Sequence, residues 1–280
     1  MLSSRNFCFG VLSFVIFNGI ALGQTSIVSG PSPSASAACQ RISLGSAETQ
    51  LWPQDALNPD FIDAKTHYWS STNADLTPAC AVFPTSASEV SYVVRVLLDY
   101  PSVPFAVKSG GHNTNVGFSS VNWGVLISFS KLASTNVSAD QTTADVGPGA
   151  RWAEVMTALE PYNLAVVGGR IGQCSNLLMI VLANLFLGDV GVGGLLLGGG
   201  LSFLSAQFGL ACDHVINYEV VLANAIIVNV NVTSHTDLFW ALKGGGNQFG
   251  KFQDKPLLLP ANHRQELLQS LLSKRFLSGQ

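Results

Sequence analysis

The chain has 280 residues, of which 48% are hydrophobic and 11% are charged, and its formal net charge at pH 7 is −3. This length and apolar content allow a substantial buried core and argue against a disordered protein. The slightly negative charge, without a cluster of lysine or arginine, gives no reason to expect a nucleic-acid partner.

The first 23 residues have the pattern of a signal peptide. Arg5 is their single charge, the run from Phe7 to Leu22 is mostly apolar, and Ala21-Leu22-Gly23 is a small-residue cleavage pattern. A membrane anchor is the alternative, but the apolar run is shorter than the roughly 20 residues that a span needs. We therefore expect a secreted, extracellular protein that is not membrane-bound after signal cleavage.

Secretion has two consequences for the residues that follow. In an oxidising compartment Cys39 and Cys80 could form a disulfide that ties the N-terminal arm to the body of the protein. The sequons at Asn136 and Asn231 could carry glycans there. Residues 24–50 are rich in serine, alanine and glutamine, and we interpret them as a loose arm.

Residues 86–230 alternate between helical and strand patterns. Ser86 and Glu89 form a capping box, and the apolar residues after it recur on one helical face. Strands are predicted at 105–107, 125–128 and 144–146, and a helix at 151–159. A hairpin is predicted around Asn224-Ala225 from the spacing of the two strand patterns that flank it. The mixture predicts an α+β fold.

Three glycine-rich segments are candidate ligand-binding loops. Gly110 and Gly111 follow an apolar run and precede His112, and glycines with positive φ can turn backbone N–H groups toward a phosphate. Lys108 could neutralise phosphate charge. The second segment is 191–200 and the third is 244–247. A plain strand-to-loop corner is the alternative for the first segment, and a glycine-rich linker is the alternative for the second, although its valines and leucines are unlike a polar linker. Three such segments in one chain favour a shared, extended ligand.

These segments, in this order, resemble the FAD-binding domain of the vanillyl-alcohol-oxidase superfamily, which is also called the p-cresol-methylhydroxylase (PCMH) type. The strings that carry the resemblance are VKSGGHN, DVGPGARWAEV, VGVGGLLLGGGLSFLSAQFGLACDHVINYEVV and DLFWALKGGGNQFG. They are most similar to the secreted berberine-bridge-enzyme-like oxidases of fungi, over residues 51–250. The resemblance implies two α/β subdomains with the flavin between them. The family has an Asp-Gly-like turn where this chain has Asn224-Ala225, so Ala225 would strain the hairpin.

The resemblance also implies a flavin site. In that family the histidine of the SGGH loop forms an 8α-histidyl bond to FAD, and the same loop binds the pyrophosphate, so His112 is the predicted covalent anchor. No catalytic residue and no metal site is assigned. The predicted cofactor-binding residues are Lys108, Ser109, Gly110, Gly111, His112, Asn113, Gly169, Gly172, Val190, Gly191, Gly193, Gly194, Gly198 and Gly199.

Two segments depart from the family pattern. Residues 173–189 are an apolar insert where the relatives have almost no spacer, and we interpret them as derived from a retained intron. The alternatives are a buried helix and a membrane-seeking segment extended through Leu204, but Asp189 and the glycines argue against a membrane span. Some relatives attach flavin a second time through a cysteine just before the VGVGG string, but Cys174 is too far from Val190 to take that role. Residues 251–280 are richer in charge and are interpreted as a C-terminal tail foreign to the family.

The resemblance implies a secreted FAD-dependent oxidoreductase that oxidises an alcohol or sugar-like small molecule and passes the electrons to oxygen. Relatives continue for about 200 residues, with a substrate domain that supplies the catalytic base, and we expect that domain to be missing here. The alternative is therefore a catalytically inactive flavin-binding fragment from a truncated or mis-spliced gene. A secreted binding protein without a cofactor is a third possibility, which the three glycine segments disfavour.

Overall fold

The computed structural model of this protein describes residues 30–170, 190–249 and 251–258, the last of these as backbone only. The predicted signal peptide, the insert 173–189 with Cys174, Gly172, and residues 259–280 lie outside the described residues.

The first unit is a four-stranded sheet in the order β1-β2-β4-β3. Its strands are β1 (Glu48–Leu51), β2 (Cys80–Phe83), β3 (Phe105–Lys108) and β4 (Val125–Ser128). Strands β2, β3 and β4 run parallel, and β1 pairs antiparallel with β2. Every residue of β2 and β4 is buried, because helices cover both faces, as is usual for parallel strands.

Helices α1 (Pro33–Ser43) and α4 (Ala87–Asp99) pack on one face of this sheet, and α2 (Pro59–Thr66) packs on the other. The predicted N-cap of α4 is present, since Glu89 N–H donates to Ser86 Oγ, but the Glu89 carboxylate accepts from Thr85 N–H and not from the Ser86 N–H that would complete a capping box. A short helix, α3 (Ser71–Ala74), follows α2.

The second unit is a five-stranded antiparallel sheet in the order β5-β6-β9-β7-β8. Its strands are β5 (Thr135–Val137), β6 (Thr143–Val146), β7 (Val215–Val221), β8 (Ile227–Asn231) and β9 (Lys251–Leu258). Helices α5 (Trp152–Leu159), α6 (Val192–Leu197) and α8 (Thr236–Leu242) share its apolar core, and α7 is Ser205–Phe208. The predicted architecture of two α/β subdomains is confirmed.

The interpretation of residues 24–50 as a loose arm is wrong for the part that is described. Residues 33–43 form α1, capped by Ser32 Oγ, and residues 48–51 form β1. Ala35, Ala38 and Ile42 are fully buried on one face of α1. These small side chains gave a weak apolar pattern because a helix that packs closely against a neighbour needs little bulk. The expected disulfide is present and joins Cys39 of α1 to Cys80 of β2.

The first eight residues of the segment interpreted as a tail foreign to the family form a strand of the fold, Lys251–Leu258. Strand β9 lies inside the second sheet, between β6 and β7. The higher charge of residues 251–280 gave these residues a pattern unlike that of a central strand, and Pro256 cannot donate a ladder hydrogen bond. Pairing on both edges outweighs that local preference.

The hairpin that joins β7 and β8 contains the predicted strained residue. Ala225 has a φ of 65°, in the left-handed region, and its carbonyl accepts a hydrogen bond of 2.6 Å from Ser91 Oγ of α4. A left-handed conformation costs an L-residue other than glycine roughly 1–2 kcal/mol. The turn keeps this strain because its backbone is fixed at both sides.

We expect Ala225→Gly to stabilise the protein by about 0.5–1 kcal/mol, since removing the Cβ relieves the left-handed strain while losing one buried methyl group. Denaturant unfolding measures the difference. Ala37→Gly in α1, where φ is helical, is the matched control and should destabilise by about 1 kcal/mol. A loss of stability in Ala225→Gly would show that the methyl group outweighs the strain.

Within the described ranges, no helix combines the length and apolar character needed to cross a membrane.

Candidate cofactor site

The loop after β3 is held by the loop after β6, so the two units meet at the predicted site. Ser109 Oγ donates a hydrogen bond of 2.6 Å to the carbonyl of Pro148. The guanidinium of Arg151, at the start of α5, donates to the carbonyl of Gly110 at 3.3 Å. Residues 109–111 therefore have their position set by the second unit as well as by β3.

Residues 190–193 lie between these two loops. Trp152 N–H donates to the Val190 carbonyl at 3.1 Å, and Val192 N–H donates to the Ala150 carbonyl at 2.9 Å. A Cβ built on Gly110 would overlap the backbone nitrogen of Gly191, and a Cβ on Gly191 would overlap that of Gly110. These two glycines are required for backbone-to-backbone packing of the loops.

The other glycine segments join at the far end of α6. Gly246 N–H donates to the Leu197 carbonyl at 3.0 Å, and Gly199 accepts from Cys212 N–H at 2.9 Å. Gly199 and Gly200 have positive φ values of 90° and 81°. The three glycine segments are thus brought together along α6, as the hypothesis of one extended ligand requires.

The exposed side of α6 has uncovered backbone that a dinucleotide could contact. A Cβ on Gly194 would meet no atom within 4 Å, and Gly194 and Gly198 are both exposed. Backbone there is open to close approach by another molecule. Glycines that leave the backbone uncovered in this way allow a pyrophosphate to contact it, so the residues fit the phosphates of FAD.

His112 is held from the side of the first unit. Its imidazole stacks on the indole of Trp69 with ring centroids 4.9 Å apart and an angle of 23° between the planes. Trp69 N–H donates to the Gly111 carbonyl at 3.0 Å. Gly111 has a φ of 76°, and a Cβ there would be 2.6 Å from the His67 carbonyl. Positive φ was predicted for both loop glycines and is found at Gly111 but not at Gly110.

The loop continues into Asn113, which is exposed, and its carbonyl accepts from Asn73 Nδ2 at 2.9 Å. The Asn73 side chain is fully buried and its Oδ1 accepts from Ser120 Oγ. Residues 67–73 therefore support the loop from Gly111 to Asn113.

Lys108 does not face the site, so its predicted role toward phosphate is not supported by its position. Its side chain is 2% exposed, and Nζ donates to the Asp63 and Ala64 carbonyls at 3.1 and 2.8 Å. These carbonyls lie in the last turn of α2, where the partial negative charge of the helix favours a cation. The ammonium also lies 4.1 Å from the centre of the Tyr68 ring. Burial nevertheless dominates and lowers the pKa of Lys108 to about 7.

This lowered pKa predicts a pH-dependent stability. Between about pH 7 and the usual lysine pKa near 10.4, the unfolded chain holds more protons at this site than the folded chain, so the site raises stability as pH rises. The slope is at most about 1.4 kcal/mol per pH unit. We expect the stability difference between the wild type and Lys108→Met to move in favour of the wild type by about 2–3 kcal/mol from pH 7.5 to 9.5.

Urea unfolding of the two proteins at a series of pH values measures that difference. A difference between wild type and Lys108→Met that stays constant with pH would show that the helix carbonyls keep Lys108 charged throughout the range.

The structure also places the remaining predicted residues. Gly169 packs against the indole of Trp152, where a Cβ would lie 2.5 Å from Cδ1. It serves packing at this position. Three residues that contact the site were not singled out from the sequence: Trp69, Asn73 and Pro148. Arg151 was predicted only as the start of a helix. The contacts of Trp69 and Asn73 depend on how α2 and α3 pack beside the loop, which no local pattern indicates.

Residues 78–231 match the family described as the FAD binding domain. An uncharacterized FAD-linked oxidoreductase from Arthroderma benhamiae is 39% identical over 238 residues, which are 85% of this chain and 44% of that protein. The FAD-dependent monooxygenase macF from Penicillium terrestre is 45% identical over 185 residues, which are 65% of this chain and 32% of that protein.

The similar solved structures are also flavoenzymes. The glucooligosaccharide oxidase from Acremonium strictum, which carries a 6-S-cysteinyl, 8α-N1-histidyl FAD, superposes with a TM-score of 0.65 at 26% identity. The match covers 80% of this chain and 42% of that one. The xylooligosaccharide oxidase from Myceliophthora thermophila gives 0.64 at 25% identity, over 81% of this chain and 43% of that one.

The chain thus spans less than half the length of each of these proteins. The family match extends over more than half of its own residues and includes the SGGH loop, the loop after β6 and α6. The chain therefore belongs to the FAD binding domain family, with PCMH-type, berberine-bridge-enzyme-like flavoenzymes as its structural neighbours and FAD as its cofactor.

Proposed function

We propose that this chain is the flavin-holding part of a secreted FAD-dependent oxidoreductase, with His112 bonded covalently to the flavin. The observation that carries the proposal is the convergence at one place of the His112 loop and the open glycine backbone of α6. Bound FAD would supply a two-electron acceptor for an alcohol or sugar-like substrate, and oxygen would reoxidise it.

Different residues of the chain would hold different parts of FAD. The open backbone at Gly194 and Gly198 would receive the pyrophosphate. His112, fixed by Trp69 and by the left-handed turn at Gly111, would face the ring system. Arg151 and Ser109 would keep the two loops together while the cofactor enters. None of these roles needs the side chain of Lys108.

Three observations support secretion and the proposed reaction. The Cys39–Cys80 disulfide is typical of an oxidising compartment. Asn136 is exposed on β5, so its sequon is accessible to a glycan, whereas Asn231 Nδ2 already donates to Asn217. The similar solved structures include a glucooligosaccharide oxidase and a xylooligosaccharide oxidase, and the similar sequences include monooxygenases.

The test is FAD binding by the purified chain. We expect the protein to bind FAD, seen as quenching of flavin fluorescence and a shifted visible spectrum, and to bind riboflavin much more weakly because riboflavin lacks the pyrophosphate and adenosine. Equal affinity for the two would contradict the assignment of the glycine backbone to the pyrophosphate, and no binding of FAD would overturn the proposal.

Turnover distinguishes the full activity from the alternative, a catalytically inactive flavin-binding fragment. Hydrogen peroxide formed from a panel of sugars and benzylic alcohols, above a heat-denatured control, would show that the chain itself is an oxidase. Bound FAD without peroxide would support the fragment.

A further inference from the structure

Trp69 contacts the predicted anchor loop at two successive residues. Its backbone N–H holds the Gly111 carbonyl at 3.0 Å, and its indole stacks on the ring of His112 at 4.9 Å. Since Trp69 precedes α3, whose buried Asn73 holds the carbonyl of Asn113, contacts reach this loop before, at and after His112. The histidine therefore does not depend on its own loop alone for its orientation.

The geometry of the stack leaves the imidazole nitrogens of His112 able to form a covalent bond to the flavin. With only 23° between the two planes, the indole covers the face of the imidazole, while both ring nitrogens lie in the plane of the ring and point along its edge. A bond formed at a ring nitrogen leaves the stacked face undisturbed. Side-chain rotation of His112 out of this plane would require loss of the stack.

We propose that Trp69 is a positioning residue for covalent flavin attachment, in which its indole holds the His112 imidazole edge-on to the flavin. This inference rests on the proposed function. Stacking restricts the imidazole to one plane before FAD arrives, so less orientational freedom is lost when the bond forms. Trp69 itself makes no bond to the cofactor.

A C–N bond forms between a ring nitrogen of His112 and the 8α carbon of the flavin, while one C–H bond of the 8α methyl group and the N–H bond of the imidazole break. The two hydrogens, with two electrons, reduce the flavin ring. Oxygen then accepts them and leaves as hydrogen peroxide, which returns the attached flavin to its oxidised state.

The experiment compares four proteins prepared flavin-free from a riboflavin-requiring host: the wild type, Trp69→Leu, Trp69→Phe and Trp240→Leu. Trp240 lies on α8 and is 81% exposed, so its replacement controls for loss of a surface tryptophan. FAD is added, and covalent attachment is followed over time by intact mass and by flavin fluorescence of the denatured protein. The dissociation constant for FAD is measured before appreciable attachment.

We expect Trp69→Leu to slow attachment about fivefold, the range expected for loss of one aromatic stack, with the FAD dissociation constant unchanged within about twofold. Trp69→Phe should restore most of the rate, and Trp240→Leu should match the wild type. In the flavin-free proteins, the ring protons of His112 should resonate upfield in the wild type relative to Trp69→Leu, because the indole ring current acts on a stacked imidazole.

Other outcomes overturn the inference in distinguishable ways. Equal attachment rates in Trp69→Leu and the wild type would remove the positioning role and leave the proposed function intact. Loss of FAD affinity in Trp69→Leu would make Trp69 a structural support only. Absence of FAD binding by the wild type would instead overturn the proposed function, and FAD binding without attachment would overturn the role of His112.

Discussion

Gly110→Val is expected to abolish FAD binding and to lower the stability of the protein at the same time. A Cβ at this position would overlap backbone atoms of Gly191, and a backbone cannot rotate aside as a flexible side chain can. The loop after β3 and residues 190–193 would have to separate, which breaks the Ser109–Pro148 hydrogen bond beside them. Overpacking of this kind costs about 1–3 kcal/mol or more.

Gly194→Val separates this packing effect from an effect on the cofactor. Gly194 lies in α6 with open space beside it, so a side chain there should be tolerated by the fold and should obstruct only an approaching pyrophosphate. We expect unchanged thermal stability and strongly weakened FAD binding in this variant. Gly30→Ala, also in open space but remote from the site, should change neither property.

Thermal unfolding and FAD titration on the four proteins measure both effects. Full FAD affinity in Gly194→Val would show that the pyrophosphate does not contact α6. A Gly110→Val protein with wild-type stability would show that the two loops can separate freely, contrary to their packing in the structure.

Gly110 and Gly194 belong to similar glycine patterns but have different surroundings in the structure. The pattern predicted that both residues expose backbone to a ligand, whereas Gly110 exposes its backbone to another loop of the same chain. Sequence indicates that a side chain is excluded at a position, but the neighbour that excludes it is set by tertiary packing. Positive φ at Gly111 was predictable because a sharp turn requires it locally.

The contacts of the Lys108 and Trp69 side chains also depend on tertiary packing that the local sequence does not indicate. Lys108 is the last residue of β3 and precedes a glycine loop, a position from which a lysine can reach phosphate. Its ammonium instead donates hydrogen bonds to carbonyl groups of α2. Trp69 had no sequence signal because its stack on His112 depends on the path of the chain after α2. The strands β3, β4 and β6 were predicted well, since their apolar runs are short and bounded by glycine or proline.

His112→Ala is expected to eliminate covalent flavin while the protein still binds FAD reversibly. The open backbone of α6 and the loop contacts of Ser109 and Arg151 do not involve the imidazole. Removing the ring therefore removes the bonding atom without removing the site for the pyrophosphate. Acid precipitation measures the result, because covalently held flavin pellets with the protein and reversibly bound flavin stays in the supernatant.

The matched control is His214→Gln, which changes another half-buried histidine, one whose ring nitrogen contacts the Phe208 carbonyl away from the loop. That variant should retain pelleted flavin at the wild-type level. Flavin that still pellets with His112→Ala would place the covalent bond on another residue, and flavin that never pellets with the wild type would mean that this chain binds FAD only reversibly. Because His112 is fixed by Trp69 on its face and by the Gly111 turn behind it, we expect the bond to form there.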